Sequence, residues 1–174
     1  GDTSAGKYGM AFDIGTTTVV GILFDLHTGD ELANTARINP QVSYGDDVIS
    51  RIYSVRENPE LLHRMQEEIV HAMNEMINTT TDNAGISKKS VYEIVAVGNS
   101  TMQQLLCGYD PSALGELPFV QVFDELRVLT ASQVGLNANP GAELCVFPQL
   151  GGFVGGDTVA GMLAARLDKW EEPV

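Results

Sequence analysis

Two apolar runs split by a glycine-threonine turn open the chain. Tyr8 to Leu26, YGMAFDIGTTTVVGILFDL, reads as a buried strand ending in Asp13-Ile14-Gly15, a threonine-rich turn and a second apolar strand. Thr28-Gly29-Asp30 supplies the next turn, and the alternation from Glu31 to Ile38 predicts a third antiparallel strand, so the chain begins as a meander.

Beyond Asn39-Pro40 the period lengthens. A helix is expected to start near Gly45-Asp46-Asp47, where acidic side chains suit the positive end of a helix dipole and capping is their simplest role. Asn58-Pro59 predicts the start of a long helix carrying Leu62, Met65, Ile69, Ala72 or Met73, and Met76 on one stripe and ending around Asn83-Ala84-Gly85. Tyr92 to Val97 is a short apolar strand that runs through Gly98-Asn99-Ser100-Thr101 into another helix, TMQQLLCG. Residues 108–141, with Pro111, Pro118 and Pro140, read as an irregular insertion with no assigned role. Glu143 to Phe147 reads as a fifth strand. The predicted fold is α/β: a mixed five-stranded sheet, three strands antiparallel and two parallel, flanked by helices. The paired glycines 151/152 and 155/156 lead to Asp157 and a helix of small residues expected from Thr158 to Leu167, thin enough to pack closely against another helix or domain.

Composition narrows the class. With 44% hydrophobic and 19% charged residues the chain has the makeup of one globular domain, 1–174. Ten basic against 23 acidic residues give a net charge of -13, which argues against nucleic-acid and anionic-membrane partners. An anionic nucleotide would then need Mg2+ and local N–H groups to be held. Cys107 and Cys145 are far apart with no CxxC spacing and read as buried thiols. The first residues lack an apolar leader core, so a cytoplasmic location is expected.

The candidate chemistry lies in three turns. In the first, Gly15, Thr16, Thr17 and Thr18 offer backbone N–H groups and hydroxyls to a phosphate chain. Asp13 stands at the end of its strand, where a carboxylate is costly unless paired, solvated or bound to metal, and it is placed to hold Mg2+ through water. An ordinary hairpin is the alternative, and no Walker-type loop occurs. In the second turn, Gly98, Asn99 and Ser100 begin a helix after a parallel strand, where both N-capping and ligand contact remain open. In the third, Gly155 and Gly156 permit close approach, and Asp157 is either a helix cap or a carboxylate that orients Mg2+ or an attacking water.

The order of elements resembles the ribonuclease-H-like half of the ATPase superfamily that includes actin, Hsp70 chaperones and hexokinases. Within it, the blocks FDIGTTTVV, NPQVSYGDDVISRI, VGNSTM and FPQLGGFVGGDTVAGMLA are similar to the reductive activators of corrinoid proteins. That resemblance implies a longer polypeptide with an N-terminal plant-type [2Fe-2S] domain, in which ATP hydrolysis drives electron transfer onto Co(II) corrinoid to restore Co(I) for methyl transfer. It implies Gly15, Thr16 and Thr17 as the phosphate grip, Asp13 as the catalytic carboxylate that orders Mg2+ and its water, and Asp157 as the candidate water-orienting carboxylate, with ATP and Mg2+ as cofactors. Thr18, Gly98, Asn99, Ser100, Gly155 and Gly156 are the further candidate nucleotide contacts from the turns themselves.

The chain would form the first half of the ATPase region. The clustered cysteines of the iron-sulfur domain are absent, and no second Asp-x-Gly strand precedes Trp170-Glu171-Glu172-Pro173-Val174. The expected partners are a corrinoid protein and the second half of the ATPase region, and an exposed cleft face leaves a homodimer open. A small-molecule kinase and a non-enzymatic actin-like module are the alternatives within the same superfamily.

Overall fold

The computed structural model describes residues 6–169, so the readings made on the two ends of the chain lie outside the described residues. Strands β1 (Tyr8–Ile14), β2 (Thr18–Asp25) and β3 (Glu31–Ile38) form the expected antiparallel meander. Helices α1 (Val48–Glu57) and α2 (Glu60–Ala84) follow, then β4 (Val91–Gly98), α3 (Ser100–Cys107), β5 (Arg127–Thr130), α4 (Ala131–Val134), β6 (Glu143–Val146) and α5 (Gly156–Ala164).

The sheet has six strands, in the order β3-β2-β1-β4-β6-β5. This corrects the expected five. The added strand, β5, comes from the 108–141 stretch and pairs antiparallel with β6, Val128 opposite Cys145 and Leu129 opposite Leu144. Four residues at a sheet edge, only half of them partly buried, leave too short an alternation to read without the partner strand. Phe123 anchors the approach to β5: it is buried, packs edge-on against Tyr109 at 5.9 Å, and carries the Arg127 guanidinium over its ring.

Period-two geometry sorts β1. Met10, Phe12 and Ile14 point into one core with Ile94 and Ala96 of β4 and with Met65, Ile69, Met73 and Met76 of α2. Asp13 therefore faces away from that core. Asp47 caps α1 in a reciprocal capping box with Ser50, as the dipole reading expected, and Gly85 ends α2 in the left-handed conformation. The last helix, α5, starts two residues earlier and ends three residues earlier than its sequence pattern indicated, and Met162 and Leu163 on it are exposed. Among the described residues no helix is long and apolar enough to cross a membrane.

Strands β1, β4 and β6 run parallel, with Ile14 level with Gly98 and Ala96 level with Val146. Their C-terminal ends share one edge of the sheet. The loop after β1, the N-terminus of α3 and the loop from β6 into α5 consequently meet there, the position where open α/β sheets place their ligands.

Candidate nucleotide site

The turn between β1 and β2 is held by its carbonyls. The Asn39 side-chain amide donates to the Gly15 carbonyl at 2.8 Å. The Arg51 guanidinium donates to the Thr16 carbonyl, and the Asn39 backbone N–H donates to the Thr17 carbonyl at 2.9 Å. In a trans peptide the C=O and the following N–H point in opposite directions. Capturing the Gly15 and Thr16 carbonyls from inside the protein thus turns the N–H groups of Thr16 and Thr17 to the other side, the kind of arrangement that could receive an anion. Among the described residues neither amide donates to a protein acceptor. Gly15 plays another part: its own N–H closes the turn onto the Thr18 carbonyl at 3.0 Å. A Cβ there would sit 2.7 Å from that same oxygen, so the tight turn requires glycine.

Asn99 serves two roles at once. Its Oδ1 accepts from the Met102 N–H at 3.1 Å and caps α3, while its amide donates to the Thr16 hydroxyl at 3.2 Å and ties the second turn to the first. The Ser100 hydroxyl is buried and donates to the Gly151 carbonyl at 3.0 Å, so it secures the loop before α5. Gly98 lets β1 and β4 close up, since a Cβ on it would lie 2.7 Å from the Ile14 carbonyl. Thr18 is exposed at the start of β2.

The N-terminus of α5 is seated against this turn. Gly155, not Asp157, is the N-cap. The Gly156 N–H donates to Gln103 Oε1 at 3.0 Å, and Gln103 Nε2 donates to the Phe147 carbonyl at 2.8 Å, so one buried glutamine of α3 clamps both ends of the 147–156 loop. Asp157 follows in the first helical turn, where its carboxylate accepts from the Thr158 N–H at 2.7 Å.

The two sequence-predicted carboxylates come within each other's field. Asp13 is exposed at the strand end but partly desolvated by its neighbours, which raises its pKa above the ordinary value of 3.8, and the negative charge of Asp157 raises it further. Such a pair is stabilised by a cation placed between or beside it, which fits hydrated Mg2+ held chiefly through water. In Asp157→Asn the second of these causes disappears, so the Asp13 carboxyl, followed by carbon-13 NMR, is expected to titrate at lower pH than in the wild type while staying above 3.8. An unchanged Asp13 titration would show that the two groups do not interact.

The expected site residues do not include Asn39, Arg51 or Gln103: Asn39 and Arg51 stand in the block NPQVSYGDDVISRI and Gln103 in the helix after Asn99, but nothing local shows which carbonyls and loops they hold. In the structure Arg51 shares the buried face of α1 with Ile52 and Val55, an unusual place for a guanidinium. The two cysteines are partly rather than fully buried, and burial pushes the Cys107 thiol up to about 11, which keeps it protonated and unreactive at neutral pH.

Known proteins resemble this chain in sequence and in fold. The family described as the RACo middle region matches residues 8–170. The corrinoid activation enzyme RamQ of Eubacterium limosum is 41% identical over 162 residues, covering 93% of this chain and 27% of that protein. A solved structure of a reductive activator for a corrinoid, iron-sulfur protein superimposes with a TM-score of 0.95 at 34% identity, over 99% of this chain and 27% of that one. The chain thus spans about a quarter of the length of both relatives. By sequence and by fold, it belongs to the RACo middle region family.

Proposed function

We propose that these residues form one wall of a Mg-ATP site in an ATP-dependent reductive activator of a corrinoid protein. The observation that carries the reading is the β1–β2 turn: its carbonyls are captured inward, its Thr16 and Thr17 amides face outward, and the Asp13 and Asp157 carboxylates stand on the same sheet edge. Outward amides bind phosphate oxygens, and paired carboxylates hold a hydrated cation and orient water. RamQ and the reductive activator, by their names, supply the context of corrinoid chemistry.

In this reading the amides of Thr16 and Thr17 and the Thr16 hydroxyl position the phosphate chain. Asp13 holds the hydrated metal, and Asp157 accepts a hydrogen bond from the attacking water. Mg-ATP, when bound, supplies the phosphoryl group whose hydrolysis favours one arrangement of the lobes over another. A longer polypeptide would contribute the facing lobe of the nucleotide site and a [2Fe-2S] group, which would supply the one-electron reducing chemistry for a Co(II) corrinoid. The turn and the carboxylate pair support the nucleotide part of this reading, and the two separated thiols, Cys107 and Cys145, have no cluster-type spacing.

The test is single-turnover reduction of the Co(II) form of a corrinoid protein by the full-length polypeptide with a chemical reductant. Co(I) is expected to accumulate with Mg-ATP and not with a non-hydrolysable analogue. Equal rates with and without nucleotide would remove the coupling role, and stoichiometric phosphate transfer to a small-molecule acceptor would make the protein a kinase.

A further inference from the structure

Arg51 is fully buried, and among the described residues no carboxylate lies within ion-pair distance of it. Its guanidinium is spread over neutral or weak acceptors: Nε donates to the Gly45 carbonyl at 3.0 Å, Nη1 faces Met102 Sδ at 3.2 Å, and Nη2 donates to the Thr16 carbonyl. Asp46 and Asp47 act on it only through their field, and burial lowers its pKa. A cation in such a place costs stability unless something repays it. Thioether sulfur is a poor acceptor, so the protein itself leaves the charge undercompensated.

What Arg51 touches indicates the compensation. One arm holds the peptide between Thr16 and Thr17, the peptide whose N–H faces the proposed ligand. That peptide's dipole runs from the guanidinium toward the outside of the turn, so a positive charge behind it strengthens the outward N–H as a donor. The charge is also local. In a chain with a net charge of -13, it is a cation set directly behind the turn meant to receive an anion.

We propose that Arg51 is a positioning residue for the nucleotide phosphates: it fixes the Thr16 carbonyl inward, presents the Thr17 N–H outward, and supplies a buried positive charge that the bound phosphate balances through the turn. The inference rests on the nucleotide reading and adds to it a residue that never touches the ligand. Asn39 supports the same geometry from the neighbouring carbonyls but carries no charge.

Arg51→Met and Arg51→Lys in the full-length polypeptide separate the roles. Arg51→Met is expected to weaken Mg-ATP binding by about tenfold or more, the loss of one charge-assisted contact. The dependence of affinity on salt should become shallower as one positive charge is removed from the site. Because the contact serves bound substrate and transition state alike, KM rises while kcat stays within about threefold. Arg51→Lys keeps the charge and the salt dependence, but one ammonium cannot serve Gly45 and Thr16 in the fork geometry, so affinity recovers only in part. A solely structural arginine would instead lower the melting temperature and leave the salt dependence and KM of the folded fraction unchanged, and that result would overturn the proposal. Should Arg51→Met not fold, Arg51→Lys decides alone: wild-type KM in that variant refutes the geometric role. If the wild type itself binds no Mg-ATP, the nucleotide reading fails and this proposal with it, whereas wild-type binding with indifferent Arg51 variants removes this proposal only.

Discussion

Asp13→Asn in the full-length polypeptide is expected to lower Mg-dependent ATP hydrolysis by about a hundredfold or more, the usual scale for removing a group that holds the metal or moves a proton. The substitution keeps the shape of the side chain and removes its charge, so the loss should lie in turnover and in the Mg2+ requirement rather than in folding. Stability points the other way. The folded-state pKa of Asp13 is raised by partial desolvation and then by Asp157, so its favourable contribution is fully present below the unfolded value near 3.8 and is lost as pH rises through the folded value. At neutral pH the ionised carboxylate is therefore a liability in the absence of a cation. The variant should melt no lower than the wild type at pH 7 without Mg2+, while its kcat collapses, which is the trade expected of a functional charge. Undiminished hydrolysis would show that Asp13 has no part in the reaction.

Gly155→Ala is expected to be nearly as damaging by a different route. A Cβ at Gly155 would lie 2.1 Å from the Gly98 carbonyl oxygen and 2.6 Å from the Cα and carbonyl carbon of Asn99. All three are backbone atoms, so no rotamer change relieves the overlap, and the start of α5 must move away from the β4–α3 turn. Overpacking of this kind costs about 1–3 kcal/mol. The functional loss should be larger than the stability loss, because the movement carries Asp157 away from Asp13 and loosens the Asn99 contact to Thr16. Hydrolysis is expected to fall by about tenfold to a hundredfold, as it does when a reacting group is misplaced by an ångström. Gly161→Ala on the same helix is the comparison: among the described residues a Cβ there meets nothing within 4 Å, so it should leave the seating of α5 on the β4–α3 turn intact and stabilise the helix by up to about 1 kcal/mol. Equal behaviour of the two variants would mean that the close approach at Gly155 does not position the site.

The parts of this structure that the sequence showed plainly are those governed by local rules. The meander, α2 with its methionine stripe, the Asp47 cap and the Gly85 stop each follow from a period or from a residue type at a terminus. The parts it hid depend on distant partners. Strand β5 is defined by its pairing to β6, and its four residues alone do not distinguish it from a loop. The start of α5 is set by Gln103 and by the backbone of Gly98 and Asn99, so the cap falls on Gly155 although Asp157 has the better capping chemistry. The candidate site divides in the same way. Asp13 and the Gly15–Thr17 turn could be read as one phosphate motif, but the residues that aim its amides, Asn39 and Arg51, lie 24 and 35 positions away from the carbonyls they hold.

The reading of these turns as a nucleotide site is tested most directly by calorimetric titration of the full-length polypeptide with ATP, in Mg2+ and again in excess chelator. Saturable binding that requires Mg2+, and that is weakened in both Asp13→Asn and Arg51→Met, is the expected result. Absence of binding at millimolar Mg-ATP, or binding indifferent to Mg2+ and to both substitutions, would contradict it.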